Sequence, residues 1–224
     1  MHEVVQSLRR IARHEVMQRN ATCLAVVKSV QGGPDDHSCT VELRETGIVL
    51  PKVPIAVGFM GFVSLPAEGD LVVVLFLGGD LHAPVIAGRL YTQKLKSPEH
   101  GPGELVVHLP PTAEKDKCAE LRVKTPDDGT RMLTLTLDGD VKVGVTVRDE
   151  GLLFETGDVR IELKQTSASD GALTVTVGKA KMSFDAQAGD IAIETSGKLT
   201  LKGQSVEISG DTSVKVAGQT IDLN

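Results

Sequence analysis

The stretch 189–224, GDIAIETSGKLTLKGQSVEISGDTSVKVAGQTIDLN, limits what this chain can fold into more than any other. It alternates as five short strands with the apolar pairs Ile191/Ile193, Leu199/Leu201, Val206/Ile208, Val214/Val216 and Ile221/Leu223. First members of successive pairs stand 8, 7, 8 and 7 residues apart. Residues two apart share one face of a strand, so each rung offers two modest side chains to one side. Gly197, Gly203, Gly210 and Gly218 fall between the pairs, where the chain must turn. A repeat of this period is a β-solenoid signal. A spacing of 7 to 8 does not fit a one-chain helix with a hexad repeat.

Such a ladder has too little apolar surface to make a core alone, and its strand edges are unpaired. Closure with two further copies solves both problems, because three ladders about one axis turn their apolar faces inward. The ten residues of the five pairs are the expected trimer core. The alternative is a single-chain β-sandwich. The expected fold is mainly β: an amino-terminal helix, a small barrel, then a trimeric intertwined β-helix or β-prism needle. The expected divisions are 1–20 for the helix, 21–92 for the barrel, 93–120 for a transition and 121–224 for the needle. The needle is expected to begin irregularly near Leu121 and to become regular by Leu173.

Composition agrees with a slender β protein. Five Phe, one Tyr and no Trp leave little to fill a wide core, whereas Val, Leu and Ile rungs need no large rings. A net charge of −6 argues against a dedicated nucleic-acid binder. Cys23, Cys39 and Cys118 are odd in number and widely spaced, suiting neither a disulfide framework nor a zinc site. Each reads as a small buried hydrophobe. No run has the length of a membrane span, and residues 1–20 lack the apolar centre of a signal peptide. Synthesis in the cytoplasm is expected, with any exit by another route.

Residues 2–18 are the one convincing helix, with Val4, Leu8, Ile11 and Ala12 near a 3.6-residue period and Arg9, Arg10 and Arg13 elsewhere on its surface. It packs either on a partner subunit or on its own domain. From Ala21 to Tyr91 the pattern is strands: ATCLAVVKSVQ and SCTVELRE about the polar loop QGGPDDH, then GIVLPKVPIAV, a glycine-bearing GFMGFVSLP, LVVVLFLGGD and APVIAGRLY. Five strands in about 70 residues suit a Greek-key barrel of the OB type. The run 71–77 is apolar on both faces and is expected to be covered on both sides.

Barrel turns are expected at Gly69-Asp70, leading into that strand, and at Gly78-Gly79-Asp80 as a tight hairpin, with Pro84 opening an edge strand and Gly88 following. The stretch PAEGDLVVVLFLGGDLHAPVIAGRLY, residues 66–91, resembles the OB domain of phage baseplate assembly protein V and of the valine-glycine-repeat spike proteins of type VI and extracellular contractile injection systems. In that family a barrel precedes a trimeric β-helical needle, the order expected here.

The resemblance implies a homotrimeric central spike that sits on a baseplate hub protein and pierces the target membrane transiently on sheath contraction. Some needles of the family carry a His-x-His iron site at the tip. The six His here, at 2, 14, 37, 82, 100 and 108, form no such pair, so no metal or other cofactor is expected. A separate small conical (PAAR-like) tip protein is expected to cap the needle at Ile221, Leu223 and Asn224. Bacterial or phage origin follows, within a tail-like particle that can be released from the cell.

Catalysis is not expected: G-x-S-x-G, HExxH, P-loop and CxxC spacings are missing, and 224 residues leave no room for a fused lysozyme or effector. Two rivals remain. An OB module for glycan or single-stranded nucleic acid needs stacking aromatics, and here only Phe59, Phe62, Phe76 and Tyr91 are at hand. A carbohydrate-cleaving solenoid needs paired carboxylates on a groove and more residues per coil. After a polar stretch, TQKLKSPEHGPGE, the ladder runs through LVVHL, a hairpin turning at Pro-Asp-Asp-Gly, and segments punctuated by Gly151 and Gly157, with QTSASDG (165–171) as an interrupting loop.

Overall fold

The computed structural model describes residues 5–7, 22–113 and 117–222. Residues 5–7 are helical; the rest of the expected helix 2–18 lies outside the described residues, as do Leu223 and Asn224. The chain divides into two compact units, 1–97 and 98–224.

In the first unit, β1 (Thr22–Gly33), β2 (Asp36–Leu43), β3 (Val49–Pro54), β4 (Leu71–Phe76) and β5 (Pro84–Leu90) form one antiparallel sheet in the order β3-β2-β1-β4-β5. The twelve residues of β1 let it serve two partners, with Ala25 opposite both Leu43 of β2 and Val72 of β4. Alternation sends Ala25, Val27, Val72, Val74 and Phe76 inward, where they meet Cys39, Val41, Val53 and Ile86 in a dry core. Edge strands β3 and β5 come together at a parallel bridge between Ile55 and Ile86, backed by a 2.9 Å bond from the Ala56 N–H to the Ile86 carbonyl.

Three expectations for this unit need correction. The turn expected across QGGPDDH is present but narrower, at Pro34-Asp35, because Gly33 pairs with Asp36 and the strands run through the polar residues. The hairpin expected at Gly78-Gly79-Asp80 is a longer connection. Leu77–Gly79 forms a 3-10 turn, and the Leu77 N–H bonds to the Ala83 carbonyl at 3.0 Å before β5 begins. Among the described residues of the unit β4 is covered on one side only: Val72 and Val74 are fully buried, whereas Leu75 on the other face is 36 % exposed.

The second unit is a single nine-stranded antiparallel meander in which every strand pairs with its sequence neighbour. Its strands are β6 (Glu104–Leu109), β7 (Ala119–Lys124), β8 (Met132–Leu137), β9 (Val143–Arg148), β10 (Gly151–Thr156), β11 (Val159–Ser167), β12 (Asp170–Val177), β13 (Ala180–Asp185) and β14 (Ile191–Thr195). Thus β6 and the start of β7 lie in the stretch read as a transition. QTSASDG does not interrupt the sheet, since β11 continues to Ser167 and β12 starts at Asp170. Tight turns follow β10 and β12, where Gly157 (φ 53°) and Gly178 (φ 55°) take the left-handed conformation that a two-residue hairpin loop requires.

After Thr195 the pattern of five rungs is not realised within one chain. Only Ile191 and Ile193 sit in a strand; among the described residues 196–222 there is no strand and no backbone–backbone hydrogen bond. Among the described residues these rungs pair with no other segment of the chain.

Candidate assembly surface

Directly opposed residues of an antiparallel pair point to the same face. One row can therefore be followed across the whole meander: Val107, Leu121, Leu135, Val145, Phe154, Ile161, Val175, Met182 and Ile193, each opposite the next. The row beside it, from Leu105 through Leu133, Leu152 and Leu173 to Ile191, is apolar at every step. The row on the other side, Leu109 to Thr195, is polar only at Thr156 and Thr195. The central row of the opposite face is Val106, Arg122, Thr134, Thr146, Leu153, Glu162, Thr174, Ser183 and Ala192, polar at six of nine positions. The two faces thus differ in chemistry, one wholly apolar along its central row and the other mostly polar.

In β6 and β8 the apolar face is the open one. In β8, Leu133, Leu135 and Leu137 are exposed while Met132, Thr134 and Thr136 are half-buried, the reverse of a sheet packed on a core. Among the described residues of this unit Cys118 is the one buried apolar side chain. Strand spacing and rise give the face roughly 40 Å by 20 Å, on the order of 800 Å². That exceeds the apolar patch of about 300–600 Å² typical of a monomer. A sheet with one apolar face and no second layer has to be covered by something else.

The polar face is locked at its first hairpin by an ion cluster. Arg122 donates from Nη1 to Glu104 at 2.8 Å and from Nε to Glu120 at 3.0 Å, while its Nη2 reaches the Glu99 carbonyl at 3.0 Å. Lys124 lies 2.7 Å from Glu104, and His108 Nδ1 lies 3.3 Å from Glu120. The Lys124 hydrogen bond is the main reason the Glu104 carboxyl sits below its ordinary pKa. For Glu120, burial pushes upward, but hydrogen bonds from Arg122 and His108 outweigh it and the pKa is lowered. This cluster holds the first hairpin and the 99–104 segment together; sequence reading missed it. Its signal was the alternation of charge at Glu104, Glu120, Arg122 and Lys124, which has meaning only once the register of β6 on β7 is known.

The expected core residues of the tail are uncovered. Ile191 is 67 % exposed and continues the apolar face from Phe184, while Ile208 and Val216 are each 70 % exposed. Leu199, Leu201, Val206, Val214 and Ile221 are likewise exposed.

The barrel-turn residues are placed one by one. Gly69 (φ 88°) donates to the Val27 carbonyl at 2.9 Å, and the Asp70 carboxylate accepts from the Ala67 N–H at 2.9 Å, so this pair does form the turn into β4. Gly79 closes the 3-10 turn, Asp80 accepts from the His82 N–H at 2.9 Å, and Pro84 opens β5 opposite Phe76. Gly88 is in no turn: it lies inside β5 next to a bulge opposite Val73.

A second apolar feature, unread in the sequence, is the loop 57–63 of the first unit. Phe59, Met60 and Val63 are 68 %, 91 % and 70 % exposed, and the Phe59 and Phe62 rings lie 5.4 Å apart. Its base is pinned, because Arg89 donates to Ser64 Oγ at 2.6 Å and to the Leu65 carbonyl at 3.3 Å.

Among the described residues no group of three or more His, Cys, Asp or Glu is placed to hold a metal ion. Residues 25–91 match the family described as the type VI secretion system/phage-baseplate injector OB domain. No curated protein matches the chain. The matched family is a structural component, and the role it carries is a non-catalytic one in a baseplate or injection system.

Proposed function

We propose that the chain is the central spike of a contractile injection system or phage-tail baseplate and acts as a homotrimer. The observation that carries this reading is the uninterrupted apolar face of the nine-stranded sheet, in a unit with almost no interior of its own. Three such faces turned towards one axis make a dry core. The tail 196–222 then finds between chains the backbone partners it lacks within one, as an intertwined β-helix. Ile191, Ile193, Leu199, Leu201, Val206, Ile208, Val214, Val216, Ile221 and Leu223 line that core.

The first unit is read as an OB-type barrel. The order β3-β2-β1-β4-β5, with its edge strands meeting at Ile55 and Ile86, supports this. The barrel seats the trimer on a baseplate hub, and the apolar loop 57–63 is the contact we assign to it. At the far end Ile221, Leu223 and Asn224 hold a small conical tip protein. Contact with the target membrane is transient and driven by sheath contraction. A needle of interchain β-structure resists that load through slow unfolding.

Light scattering on the purified chain tests the reading. A trimer has three times the 23.8 kDa of one chain. A monodisperse single copy at micromolar concentration overturns it.

A further inference from the structure

We propose that the outer face of β1, β4 and β5 is a docking surface whose occupant is the chain's own amino-terminal segment, residues 2–18. This inference does not depend on the spike reading. The register assembles the face: Leu24 lies opposite Val73, Val26 opposite Leu71, Leu71 opposite Leu90 and Leu75 opposite Val85. Its apolar residues occupy three adjacent strands, and Leu24, Leu75 and Leu90 are 37 %, 36 % and 42 % exposed. Gly88, opposite Val73, carries no side chain in the middle of the face, and nothing lies within 4 Å of where its Cβ would stand. The inner face of the same strands is already filled by the core, so a covering segment has one side left to take.

Connectivity selects the occupant. Only Arg19, Asn20 and Ala21 separate residue 18 from Thr22, the first residue of β1. Three residues reach about 10 Å at full extension. Thr22 itself lies opposite Leu75, at the border of the patch. The end of the segment is thus tethered beside the face. Val4, Leu8, Ile11 and Ala12 give the segment an apolar stripe of matching chemistry, and 17 helical residues would span about 25 Å, enough to cross three strands. Covering this face also resolves why 71–77 is apolar on both sides although the sheet buries only one.

Photo-cross-linking in the full chain tests the proposal. A benzophenone amino acid replaces Leu8 on the stripe or, as control, Arg10 on the opposite side of the helical wheel. Isotopically heavy and light copies are mixed and reassembled before irradiation. The expected result is an adduct from position 8 to peptides containing residues 22–26, 71–75 or 84–90, within one isotopic copy, and loss of that adduct from position 10. Mixed-isotope adducts make a second copy the occupant and overturn the proposal. Adducts elsewhere, no adduct, or equal yield from both positions overturn it too. Both substitutions leave the sequence of β1–β5 and of their core unchanged in either variant.

Discussion

Leu135 sits in the central row of the apolar face, on the third strand from the β6 end, opposite Leu121 on one side and Val145 on the other, and is 43 % exposed in a single chain. Complete burial of a leucine contributes about 1.5–3 kcal/mol. Less than half remains to be gained on assembly, so Leu135 adds about 1 kcal/mol per copy, or about 3 kcal/mol over three copies. The change Leu135→Asp removes that and places three carboxylates in a dry core at several kcal/mol each, unless they take up protons. The sum is on the order of 10 kcal/mol, and each 1.4 kcal/mol is tenfold in the association constant. The neighbouring Thr134→Asp puts the same charge on the polar face and is expected to change stability by no more than about 1 kcal/mol. Sedimentation equilibrium over a concentration series reads the difference: Leu135→Asp dissociates throughout, and Thr134→Asp stays assembled. Indistinguishable behaviour of the two variants refutes the reasoning.

Other outcomes follow from the same geometry. A Cβ at Gly151 would collide with the Leu163 carbonyl oxygen across the β10–β11 pair, so Gly151→Ala is expected to destabilise by about 1–3 kcal/mol in thermal melts. Glu104 and Glu120 have lowered pKa values in the folded state, so their contribution is fully present above the ordinary glutamate pKa and is lost as pH falls through the folded values. Below about pH 4 the β6–β7 hairpin should loosen, and Glu104→Gln should flatten that acid dependence in pH-series melts. The double change Phe59→Ser/Met60→Ser, at side chains 68 % and 91 % exposed, should leave the melting curve within about 0.5 kcal/mol while weakening hub binding in titrations.

Much of this was legible from local pattern. Alternation located β1 and β2, where one face is buried and the other is not, and an unbroken apolar run located β4. Strand limits were less so: Gly32, Gly33 and Asp36 read as loop but pair in a hairpin, since backbone bonding does not need apolar side chains. Gly88 read as a turn because glycine marks both turns and bulges, and only the register on β4 separates the two. The apolar face from Leu105 to Ile193 was seen as separate rungs. Its continuity is a property of the eight registers between neighbouring strands, which the apolar pattern of any one strand does not contain. The tail 196–222 carries the most regular pattern in the sequence yet has no strand in one chain, which is what a segment written for partners would show.

The central claim is that residues 98–224 have no interior without other copies of the chain. Denaturant unfolding followed by far-ultraviolet circular dichroism, repeated over a hundredfold range of protein concentration, tests it most directly. For a fold completed by association the midpoint rises with concentration. A single cooperative transition whose midpoint is independent of concentration would contradict the claim.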